Sequence, residues 1–148
     1  MTLKEGTEAK IYSSIFTNLT NAGVEMIHAA TQQVAESGGI VFHGAIFGTH
    51  GGFSVKVNDS EPAESQATWT GAELEAFILA QDNNLAQAAM DLGMTWGAPN
   101  VKPAADSVAA GMGRNPSDPF FDPADYAGAV DPNADDWTQA AWINYAVD

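Results

Sequence analysis

Cysteine is absent from the 148-residue chain, which removes disulfides, thiolate catalysis and Cys-based zinc or iron–sulfur sites. Basic residues are scarce. Five Lys and Arg stand against 19 Asp and Glu, a formal charge of −14. A surface this negative repels nucleic acid and anionic lipid, both of which need cations to replace released counterions. Neither nucleic acid nor a membrane surface is therefore expected as a partner. No run of apolar residues reaches the length that spans a bilayer. The first eight residues lack a basic start followed by an apolar stretch, so no signal peptide is read there.

Apolar residues at 45% and charged residues at 16% belong to a folded chain with a real core. The length suits a single domain over 1–148. Two stretches carry nearly the same pattern: Lys10 to Asn18 and Val41 to Thr49. Displaced so that Ile11 falls on Phe42, Ser13 meets Gly44, Ile15 meets Ile46 and Phe16 meets Phe47. Alternating apolar and polar residues over 9–16 predict a strand with one buried side. Val24 to His28 reads as another strand, Ala29 to Ser37 as a short helix stopped by Gly38-Gly39, and Phe53 to Val57 as a further strand. One long helix over 22–37 is the alternative. At Thr70-Gly71-Ala72-Glu73 the spacing is that of a capping box, with Leu74, Phe77 and Ile78 following at helical intervals.

Beyond Trp96 six prolines crowd the chain, yet Phe120, Phe121, Tyr126, Trp137, Trp142 and Tyr145 lie among them. That combination predicts an extended, proline-stiffened segment pinned to a body by aromatic anchors.

Several of these segments resemble a known group. Glu5 to Asn18, with its small residue followed by Ile-Phe, is similar to a late rung of large secreted bacterial proteins built as right-handed parallel β-helices. Gly39 to Phe47 matches a second such strand. Lys102-Pro103-Ala104-Ala105-Asp106-Ser107, Phe120-Phe121, Tyr126-Ala127-Gly128-Ala129 and Trp137-Thr138-Gln139-Ala140-Ala141-Trp142 resemble, in order, the C-terminal motifs of those proteins. The last motif carries one extra residue, and the long upstream solenoid is missing.

The resemblance implies a mostly β chain: a short right-handed parallel β-helix (solenoid) fragment over 1–60, a loop and helical cap over 61–95, and a wrapping C-terminal cap over 96–148. It implies an extracellular or cell-surface setting within a longer precursor, and a non-catalytic structural or interaction role. Polysaccharide binding or degradation is the alternative. The N-terminal sheet edge would be covered by self-association or by upstream rungs, because an uncovered strand edge is a template for pairing.

Candidate chemistry is sparse. Asp131, Asn133, Asp135 and Asp136 place oxygens at close intervals and form a candidate Ca²⁺ loop, though without the sixth-position glycine and closing glutamate of the usual Ca²⁺ loop. Asp118, Asp122 and Asp125 could add oxygens. His28, His43 and His50 match no metal-binding spacing and read as structural or surface residues. No nucleophile elbow, Walker A or dinucleotide fingerprint occurs. Trp69, Trp96, Trp137 and Trp142 are candidates either for core anchors or for a sugar-stacking platform.

Overall fold

The computed structural model describes residues 1–57, 60–86, 90, 92, 93, 95 and 97–145. Its strands are β1 (Thr2–Leu3), β2 (Ala9–Tyr12), β3 (Ile15–Phe16), β4 (Val24–Ile27), β5 (Ile40–His43), β6 (Ile46–Phe47), β7 (Phe53–Lys56) and β8 (Leu85–Ala86). Helix α1 (Ala29–Glu36) lies between β4 and β5, and α2 (Gly71–Leu79) between β7 and β8. The strands form three small parallel sheets, ordered β1-β4-β7, β2-β5 and β3-β6-β8.

The two similar stretches are direct neighbours. Ile11 pairs with Phe42, Ile15 with Ile46 and Phe16 with Phe47. Parallel pairing in this register brings like side chains together, so Phe16 and Phe47 stack with centroids 5.0 Å apart and planes 9° from parallel. Phe42 and Phe53 pack on Phe47 at 5.9 and 5.0 Å, forming an aromatic row through the main core. Leu3, Val24, Met26, Ile40, Leu74 and Ile78 complete that core. A smaller cluster gathers Ile46, Met90, Ala109 and Ala127 and joins the C-terminal segment to the sheets.

The position that reads Ser in one copy and Gly in the other is a corner. Ser13 (φ 47°) and Gly44 (φ 65°) are both left-handed. This conformation breaks each copy into two strands facing different sheets, and it disfavours a bulky side chain. At Gly44 a Cβ would stand 2.3 Å from the Met112 carbonyl oxygen, so the C-terminal segment passes where no side chain can.

The expected mostly β solenoid is corrected: the chain is a small mixed α/β fold. Four of the eight strands are two residues long, no sheet exceeds three strands among the described residues, and two α-helices occupy the connections. The middle sheet shows why stacking stops. On the side of β5 away from β2, the Phe42 N–H donates to Gln81 Oε1 (3.0 Å) and the Phe42 carbonyl accepts from Asn84 Nδ2 (2.6 Å). Asn84 Oδ1 accepts from the Ala45 N–H at 2.9 Å, and its Nδ2 also donates to the Ile78 carbonyl at 2.7 Å. Side-chain amides following α2 therefore occupy the place of a third strand.

Both helices form where the sequence predicts them. In α2 the Thr70 hydroxyl accepts from the Glu73 N–H (3.2 Å) while Glu73 Oε2 accepts from the Thr70 N–H (2.7 Å), completing the capping box. Helix α1 buries Thr31 and Ala35, one turn apart. It also anchors the approach to α2: Gln32 Oε1 accepts from the backbone N–H groups of Thr68 and Trp69 at 2.8 and 3.1 Å.

The tail departs from expectation in how it is held. Pro103, Pro132, Ala109, Ala127 and Val130 are buried, whereas Phe120, Phe121, Trp137 and Trp142 are exposed. Prolines, alanines and one valine hold the tail to the sheets, and four large aromatic side chains face solvent. Trp96 lies outside the described residues.

Asn84→Ala should leave the Phe42 carbonyl and the Ala45 N–H without their partners, and the Ile78 carbonyl with the Gln81 N–H alone. We expect a loss of about 2–4 kcal/mol, measured by urea denaturation, because each buried polar group stripped of its partner costs about 1–3 kcal/mol and partial relaxation recovers some of it. Gly44→Ala should destabilise by at least ~1 kcal/mol, since the left-handed conformation alone costs that much for an L-residue.

Candidate functional site

Two features of the surface stand out once the fold is set. The first is aromatic. Trp137 and Trp142 lie with ring centroids 6.3 Å apart and planes 7° from parallel, 49% and 76% exposed. The chain places them by a short 3-10 turn, Trp137–Gln139, capped by Asp136. Asp136 Oδ1 accepts from the Thr138 N–H at 3.0 Å and from the Thr138 hydroxyl at 2.5 Å. The Trp137 Nε1–H donates to the Ala129 carbonyl at 3.0 Å, which fixes the ring plane while leaving a broad apolar surface in solvent. Phe120 and Phe121 form a second exposed pair, T-shaped at 5.3 Å.

The second feature is a pair of clefts. One, of about 790 Å³, runs beside β3, with Ile15, Phe16, Leu19, Leu92 and Val101 among its lining. The other, of about 710 Å³, runs beside β2 and includes Lys10, Tyr12, Asp118, Phe121 and Asp122. Ser13 and Gly128 line both. They meet where the Gly128 N–H donates to the Ser13 carbonyl at 2.7 Å. Ser13 also donates its hydroxyl to the Arg114 carbonyl (2.7 Å) and accepts from the Arg114 N–H (2.8 Å). Arg114 in turn pairs with Asp82, Nε to Oδ2 at 2.8 Å.

The candidate Ca²⁺ residues serve their own turns in this structure. Asp131 Oδ1 accepts from the Asn133 N–H at 2.8 Å, and Asp136 caps the 3-10 turn. Asn133 and Asp135 are exposed. Asp118 Oδ1 likewise accepts from the Phe120 N–H. Among the described residues no group of three or more His, Asp or Glu side chains is placed to hold a metal ion.

The histidines are dispersed on structural tasks. His28 Nδ1 accepts from the Glu5 N–H at 3.2 Å. His43 packs edge-on against Tyr12, and His50 sits against Phe47 and Phe53 beneath Gly23, where a Cβ would come within 3.0 Å of its Nδ1. Of the tryptophans, Trp69 packs half-buried on Phe77 at 5.1 Å, against the main core. The clefts escape sequence reasoning altogether, because they are made by residues about a hundred positions apart.

The Glu73 carboxyl is held below its ordinary range by the hydrogen bonds from the Thr70 backbone and hydroxyl, with the small opposing effect of desolvation. Its cause is the helix cap.

The chain matches no protein-family model, no curated protein and no solved structure. The resemblance to secreted β-helix proteins thus rests on the motifs themselves.

Two outcomes follow for the caps. A depressed carboxyl pKa stabilises the fold above the ordinary Glu value, and that contribution disappears as pH falls through the folded-state value. Glu73→Gln should therefore flatten the acid limb of the helical circular dichroism signal as pH falls below the ordinary Glu value of about 4.3. Asp136→Ala should lower stability by about 1–2 kcal/mol through the two lost hydrogen bonds. It should also broaden the Trp137 fluorescence band as the ring loses its fixed plane.

Proposed function

We infer that the chain is a non-catalytic interaction module that binds through its exposed C-terminal aromatic surface. The observation carrying this reading is the Trp137–Trp142 pair. A tryptophan can bury roughly 150–250 Å², at about 25 cal/mol per Å². Leaving two of them in water forgoes on the order of several kcal/mol that a partner's surface would supply. Large exposed apolar patches on folded proteins mark interaction sites for this reason. An extracellular or cell-surface setting, implied by the C-terminal motifs, suits a module of this kind.

Polysaccharide binding is the reading that the geometry of the pair favours. Near-parallel indole planes offer flat apolar faces, and the axial C–H groups of a pyranose ring form a complementary flat apolar face. The amide of Asn133 and the carboxylate of Asp135 stand exposed nearby in sequence and supply acceptors for sugar hydroxyls. The net charge of −14 selects against uronic-acid and sulfated polymers, so the ligand class is a neutral glycan.

Affinity electrophoresis through gels containing neutral β-glucan or mannan tests this. Retardation of the native chain is expected, with Trp142→Ala abolishing it and leaving the urea midpoint unchanged because the ring is 76% exposed. Equal mobility with and without every neutral polymer would sink the glycan reading. Retardation that survives in Trp142→Ala would move the site elsewhere.

A further inference from the structure

The second surface feature points to a different partner. The N-terminal strands β1, β2 and β3 are each terminal in their sheets, and β2 and β3 carry the first of the two similar stretches. On β3, the Ser14 and Phe16 carbonyls accept from the Ile46 and Gly48 N–H groups of the β6 segment. A strand's backbone groups alternate sides, so the N–H and C=O of Ile15 and Thr17 point away from β6, toward the 790 Å³ cleft. On β2, the Ala9 and Ser13 N–H groups donate to Gly39 and His43. The N–H of Lys10 and of Tyr12 and the C=O of Lys10 accordingly face the 710 Å³ cleft.

An outward-facing strand edge beside an apolar cleft is the arrangement that captures an extended peptide as an added strand: main-chain hydrogen bonds supply affinity, and alternate side chains enter the cleft. The charge of the molecule decides which peptide. A second copy would bring another −14 against this face, which like-charge repulsion opposes. In the β2 cleft Arg114 is committed to Asp82, leaving Lys10 against the carboxylates of Asp118 and Asp122. We propose that the β2–β3 edge binds an extended peptide of another protein, with alternating apolar residues in the β3 cleft and basic residues reaching past Gly128 to Asp118 and Asp122. This surface is separate from the Trp137–Trp142 pair, so either can fail without the other.

The test uses the full chain, ¹⁵N-labelled, titrated with an acetylated and amidated octapeptide, KGKVTVTV, and with the same residues in reverse order. Binding of at least one of the two, with amide shifts concentrated at Lys10, Tyr12, Ile15 and Thr17, is the expected result. N-methylation of alternate valines should weaken it about tenfold, the effect of removing one or two backbone hydrogen bonds. Replacing its lysines by glutamate should also weaken binding, as should Asp118→Asn combined with Asp122→Asn, and this difference should shrink at high salt. Trp142→Ala should leave peptide binding unchanged. The proposal is overturned if neither peptide binds, if N-methylation has no effect, if the glutamate peptide binds equally, or if the shifts fall elsewhere. It is equally overturned if the same amides shift with protein concentration alone, since the occupant would then be a second copy.

Discussion

The structure turns on the left-handed corner at Ser13 and Gly44. Each residue ends one short strand and starts another that faces a different sheet, and the two corners lie side by side because the copies pair in register. Everything C-terminal is tied to them. Ser13 is fully engaged: its N–H on His43, its carbonyl on Gly128 and its hydroxyl on both backbone groups of Arg114. The bare Gly44 lets Met112 pass, and its N–H donates to the Asp82 carbonyl. The ion pair between Arg114 and Asp82 is partly exposed and adds little, ~0–1 kcal/mol, so the backbone bonds to Ser13 carry the junction.

The same economy of side-chain amides explains why the fold is mixed α/β. A parallel sheet grows when the next segment offers backbone groups to its edge. After β5 that offer comes from Gln81 and Asn84 instead, and a single asparagine bonds three backbone groups, in β5, in the link to β6 and in α2. The outer sheets gain β7 and β8, and the middle one closes. The N-terminal side has no such closure among the described residues, and its strand edges open on two clefts that share the Ser13–Gly128 contact.

Much of the local structure was legible in advance. The capping box at Thr70–Glu73 is a local signal and α2 formed where it predicted, whereas the single strand read over 9–16 from period-2 alternation is broken at Ser13 into β2 and β3, which join different sheets. The pairing of Ile11 with Phe42 was legible too, since similar segments in parallel register place like side chains together. What the pattern could not carry was the depth of stacking. Two amide side chains ended it, and no periodicity marks a glutamine or an asparagine as a strand substitute. The aromatic tail misled for a related reason. Phe120, Phe121, Trp137 and Trp142 looked like anchors by type, but the buried positions of the tail are taken by Pro103, Ala109, Ala127 and Pro132.

The sequence by itself determined the helices, the position of most strands and the acidity, because each depends on a few neighbouring side chains or on composition alone, while the corners at Ser13 and Gly44 emerged only in the fold. Its lack of cysteine and its 19 acidic residues already set the chemistry this surface can and cannot attract. Tertiary structure alone decided that no sheet exceeds three strands among the described residues, that two tryptophans stand parallel and exposed, and that a strand edge faces an apolar cleft. Those outcomes depend on contacts between residues as far apart as Ser13 and Arg114, whose meeting is settled by packing and by which backbone groups find partners first.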